Sequence, residues 1–149
     1  MKLRPHHLLD IISDYGHDVK FKPDPYGHAL HKVAQAVLSD TQLKAQFIIG
    51  ADDVCRPCKH LQSNGRCDDI LSHLTPPMSK QEYNDDLDSR LFAYLGLSPG
   101  MTMTIRRFLE SVNEKVPGIE GVCSHPEEDP KARLDGLIQG LTKLGIRRK

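Results

Sequence analysis

Apolar residues recur at helical spacing in five stretches of this chain, and hardly any stretch alternates. The stripes are Leu8, Leu9, Ile11, Ile12 and Tyr15; Leu30, Val33, Ala34, Val37 and Leu38; Tyr83, Leu87 and Leu91; Ile105, Phe108, Leu109, Val112 and Val116; and Leu134, Leu137, Ile138, Leu141 and Leu144. Each can bury one face of a helix against the others. The expected fold is mainly α: a single compact helical domain over residues 1–149, with long cysteine-bearing loops. Punctuation supports the helix ends. Pro5 suits a first helical position, and Gly16 suits a stop. A second helix is expected from near Pro25. Ser79 with Glu82 reads as a capping box, and Gly96 as its far end. Thr102 or Thr104 can cap the fourth stripe, which Pro117-Gly118 breaks. Asp129-Pro130 opens the last helix, and Gly145 ends it. Ile70, Leu71 and Leu74 suggest a short helix before Pro76-Pro77, and Phe47-Ile48-Ile49 an extended segment.

Only four cysteines are present, as Cys55-Arg56-Pro57-Cys58, then Cys67, then Cys123. Residues 55–67 read as a loop, with Ser63-Asn64-Gly65 as a turn. Two sulfurs separated by two residues can turn toward one centre, and a third follows closely. Three readings stand. An iron–sulfur cluster, 4Fe-4S in type, would use all four cysteines, and its size tolerates irregular spacing. Arg56, Lys59, His60 and Arg66 would then offset thiolate charge and lower the thiol pKa values. A structural zinc could use the same four, with His60 or His125 replacing a sulfur. A Cys55–Cys58 redox dithiol would lack the usual strand–helix setting.

Two histidine pairs add candidates. His6 and His7 open the first helix about 100° apart, so one is expected toward the core and the other toward a site. The bland alternative has one bonded to a backbone carbonyl and the other exposed. His28 and His31 share a helix face and could chelate a metal, although a polar face near Asp24 explains them as well. Asp52-Asp53 could cap the cysteine loop by accepting backbone N–H bonds.

Lys plus Arg and Asp plus Glu number 20 each, so bulk charge implies neither nucleic acid nor membrane. Arg147-Arg148-Lys149 reads as a solvated tail. No apolar run reaches the length of a membrane span, and no secretory leader is evident. A cytoplasmic protein with reduced thiols is the expectation. Phosphate loops, nucleophile elbows and zinc-protease motifs are absent from the sequence.

Arg4-Pro5-His6-His7-Leu8-Leu9, Gly50-Ala51-Asp52-Asp53-Val54-Cys55-Arg56-Pro57-Cys58 and Cys67 together resemble a bacterial and archaeal family of unknown function, number 1284 among such families. The stretch Leu91 to Leu97 is similar too, and the resemblance runs over about residues 3 to 110. It implies a suspected iron–sulfur protein and brings no established reaction. Members often carry a cysteine directly after the His-His-Leu-Leu run, where this chain has Asp10. Cys123 is therefore the expected fourth ligand, with His6, His7 and Asp10 as alternative ligands or supporting groups. The function expected is electron transfer, redox sensing or a small catalytic role with an unknown redox or protein partner. The alternative is a zinc-stabilised, non-catalytic interaction module.

Overall fold

The computed structural model describes residues 1–124 and 127–148. Its elements run β1 (Lys2–Leu3), α1 (Pro5–Gly16), α2 (Leu30–Ser39), β2 (Lys44–Phe47), β3 (Ile70–Leu71), β4 (Met78–Ser79), α3 (Lys80–Leu95), β5 (Thr102–Thr104), α4 (Ile105–Glu114), α5 (Glu120–Cys123) and α6 (Pro130–Lys143). The fold is broadly helical, but short strands make it less purely α than the stripes imply. Among the described residues, no helix is long and apolar enough to cross a membrane.

Helix ends follow local chemistry. Ser79 Oγ accepts from Glu82 N, Thr104 Oγ1 from Arg107 N, and Asp129 Oδ1 from Lys131 N. Gly96 closes α3 at φ 69°, a backbone conformation that disfavours a Cβ. α2 begins at Leu30 rather than near Pro25, because Pro25 and Tyr26 form a turn closed by Gly27 N donating to Asp24 O, and Gly27 sits at φ 81°. The segment at Ile70 is not helical. It pairs as β3 with β4, Ile70 opposite Ser79. One turn before two prolines offers too few hydrogen bonds to meet the cost of helix nucleation. Conversely, the loop expected to carry Cys123 contains the one-turn helix α5.

One buried cluster draws on all six helices. α1 lies against α6 through small residues. A Cβ on Gly140 would stand 2.7 Å from Ile12 Cγ2, and one on Gly136 2.7 Å from the His17 ring. Phe47 of β2 stacks on Phe108 of α4 at 4.0 Å between centroids.

β1 pairs parallel to β2, with Leu3 opposite Phe47, and β2 pairs antiparallel to β5. The chain leaving β2 is tied back to the N-terminus: Lys2 N donates to Asp53 Oδ2, and Asp53 N donates to Lys2 O. The start of α1, the cysteine loop and the start of α3 thus meet at one place.

Candidate metal centre

Overlapping turns fold the cysteine loop. Asp52 O accepts from Cys55 N and Arg56 N, Cys55 O from Cys58 N at 2.9 Å, and Cys58 O from Leu61 N. The loop then doubles back through Gly65, at φ 79°, so that Cys67 bridges to Leu61. Cys67 N donates to Gln81 Oε1 of α3 at 2.8 Å, and Cys67 Sγ accepts from Asp69 N at 3.5 Å. Cys55, Cys58 and Cys67 consequently line one cavity of 60 Å³, together with Arg4, His7 and Lys80.

Asp52 organises this loop, as its position before the cysteines suggests. Its Oδ2 accepts from Arg4 N at 2.7 Å and from His7 Nδ1 at 2.8 Å. Its Oδ1 accepts from Val54 N at 3.1 Å and Cys55 N at 3.2 Å. These four bonds use the acceptor capacity of a carboxylate. Burial opposes ionisation of Asp52, but His7 and the backbone donors outweigh it and hold its pKa well below the usual carboxylate range. Burial would likewise lower the His7 pKa, yet the Asp52 charge holds it above the ordinary value. With Nδ1 donating to a carboxylate, a neutral His7 keeps its Nε2 lone pair, as metal-ligating histidines do.

Among the described residues, the metal-ligand atoms that approach within 4.8 Å of one another as a group of three belong to His7, Asp52 and Cys55. Asp52 is already saturated, so its place is behind His7 rather than on an ion. Three of the basic residues near the cysteines have partners elsewhere. Arg56 is exposed and pairs with Asp53, Lys59 lies 4.8 Å from the Tyr26 ring centre, and His60 Nδ1 is 2.8 Å from Asp68. The expected lowering of thiol pKa fails at Cys55. Burial and the Asp52 charge instead push it up to about 12.

A second cavity, of 240 Å³, adjoins the first and is lined by His6, His7, Asp10, His28 and Cys123. The two N-terminal histidines therefore line one cavity instead of dividing between core and site. Each is pinned by a carboxylate from another element. His6 Nδ1 lies 2.9 Å from both oxygens of Asp88, a fully buried residue of α3 that also accepts from Arg4 Nη1. The two rings stand 4.3 Å apart at 48°. Neither uses a backbone carbonyl through Nδ1.

Cys123 lines this second cavity and not that of the other three cysteines. Its Sγ accepts from Arg133 Nε at 3.4 Å, and Arg133 Nη2 pairs with Asp10 Oδ1. Asp10 and Cys123 are thus two ends of one arginine-centred contact. His28 borders both cavities but is paired with Asp24 at 3.1 Å, while His31 Nδ1 is buried with no partner among the described residues. His125 lies outside the described residues, as does Lys149.

Sequence reasoning passed over Asp88, Arg133 and Gln81. A signal existed for the first two. Asp88 precedes Leu91, Phe92 and Leu95 at helical spacing, and Arg133 precedes Leu137 and Leu141 in the same way. A charge in the apolar stripe of a helix marks a buried partner.

The family model described as "Protein of unknown function (DUF1284)" matches residues 24–127, well over half of the chain. The chain belongs to this family. The match includes all four cysteines, so Cys123 falls inside it, and it begins after His6, His7 and Asp10. No curated protein and no solved structure matches the chain.

Proposed function

We propose that this member of the family is an iron–sulfur protein whose cluster, 4Fe-4S in type, is held by Cys55, Cys58 and Cys67, with His7 Nε2 at the fourth position. The carrying observation is that Cys55, Cys58 and Cys67, from different turns of the loop, line one cavity together with His7. A cubane cluster accepts irregularly spaced thiolates, because each binds a different iron. The donor set fits: soft thiols in a partly closed cavity, an imidazole oriented by a buried carboxylate, and an N–H bond to Cys67 sulfur.

His7 is preferred to Cys123 because it borders both cavities, whereas Cys123 is held in the neighbouring one by Arg133. Cys123 keeps a testable claim as the fourth ligand. A bound cluster supplies one-electron transfer, so a redox, electron-carrying or sensing role with a redox or protein partner follows.

The test is purification without oxygen, followed by iron, zinc and acid-labile sulfide analysis. The expected product is brown and contains iron and sulfide. A colourless protein with one zinc per chain refutes the cluster and supports a zinc module. Cys123→Ser is expected to retain full iron, while His7→Ala loses part of it. Loss of iron in Cys123→Ser alone returns the fourth position to Cys123.

A further inference from the structure

Arg4 stands between β1 and α1 and is 2% exposed. Its guanidinium is fixed from one side: Nη1 donates to Asp88 Oδ2 at 2.9 Å, and Nη2 to Asp85 Oδ1 at 2.9 Å. Its backbone N is held by Asp52. The third guanidinium nitrogen, Nε, is buried and has no partner among the described residues. Arg4 also lines the cavity of Cys55, Cys58 and Cys67. A buried donor without an acceptor is costly, and native structures answer it with an ion, a water or a ligand. With Nη1 and Nη2 anchored on α3, the group cannot turn Nε elsewhere without breaking two ion pairs. A fixed N–H donor at this cavity favours an occupant with acceptor atoms such as sulfur.

We propose that Arg4 Nε–H donates a hydrogen bond to a sulfur of the group held by Cys55, Cys58 and Cys67, and that Arg4 is a positioning residue that raises its reduction potential. This inference rests on the iron–sulfur reading above. Reduction adds negative charge to a thiolate-ligated cluster. An N–H···S bond and a fixed positive charge both favour the reduced form, so the potential rises. Lys80 lines the same cavity, but its ammonium is 3.6 Å from Asp69 and its side chain is partly exposed, so it exerts a weaker, more screened effect.

The experiment compares anaerobically prepared wild type with Arg4→Lys, Asp85→Asn and Lys80→Gln. The readouts are iron and sulfide content, reduction potential and Fe–S stretching frequencies. Arg4→Lys keeps the charge and removes Nε–H. Its expected result is full iron, a more negative potential and shifted Fe–S frequencies. Asp85→Asn leaves Nε–H in place beside a less neutralised guanidinium, and its potential is expected to move positive. Lys80→Gln is expected to change the potential less than Arg4→Lys does. Should Arg4→Lys fail to fold, Asp85→Asn decides alone. A brown wild type with unchanged potential in folded Arg4→Lys, or in Asp85→Asn, overturns the role of Arg4 and leaves the cluster reading standing. A colourless wild type overturns both.

Discussion

At the scale of residues, two buried carboxylates set the geometry. Asp52 and Asp88 each take an imidazole Nδ1 and further donors out of water. Burial raises the free energy of the Asp88 charge, but His6 and Arg4 outweigh it and depress the Asp88 pKa. A depressed carboxylate contributes stability above its unfolded pKa of about 3.9 and loses it as pH falls through the folded value. Acidification below about pH 4 is therefore expected to weaken the protein, with part of that slope belonging to Asp88. Asp88→Asn should flatten this part of the slope and cost about 3–5 kcal/mol at neutral pH, since it leaves Arg4 buried without full compensation. Urea unfolding at several pH values checks both the slope and the size. Asp52 stands one bond behind a proposed ligand. Asp52→Asn is expected to weaken metal retention by about 10–100-fold, as the loss of such supporting groups does elsewhere. Competition with a chelator measures it.

At the scale of elements, the site depends on where α1 is held. Its N-terminal turn carries Arg4, His6 and His7 to the cysteine loop, while its C-terminal half is seated on α6 by Gly16, Gly136 and Gly140. Gly140→Ala places a methyl against the Ile12 backbone and side chain, where nothing can move cheaply. The expected cost is about 1–3 kcal/mol, read as a fall in thermal midpoint. The change lies far along α1 from the histidines, so the metal content of the folded fraction should be unaltered. A second link joins the loop to α3 through the Cys67 N–H and Gln81 Oε1. It explains how a cysteine twelve residues beyond Cys55 returns to the same cavity. The turn at Ser63-Asn64-Gly65 was legible in sequence, but its partner on α3 was not, because glutamine carries no positional signal.

At the scale of the whole molecule, the helical core and the cysteine cavity are expected to be separable in stability. The core is apolar and drawn from all six helices, whereas the cysteine loop is held mainly by turns and by Asp52. Removal of the proposed cluster is expected to raise amide exchange in residues 52–69 and at the start of α1 and α3, with α4 and α6 still protected. Uniform deprotection would show instead that the metal holds the entire fold. Loading the site should also raise the thermal midpoint, because a ligand that binds only the native state stabilises it by mass action.

The sequence by itself determined the five long helices, most of their caps and the local cysteine triad. These depend on residues within a turn or two of each other, and apolar spacing, capping side chains and glycine conformation act at that range. Tertiary structure alone decided that His6 and His7 face one cavity, that Asp88 and Arg133 are buried, and that Cys123 lies beside Asp10. Those outcomes depend on pairing across 45 to 123 residues, where a charge finds its partner only after the helices have packed. The same packing leaves Arg4 Nε without an acceptor among the described residues, in a side chain that lines the cysteine cavity.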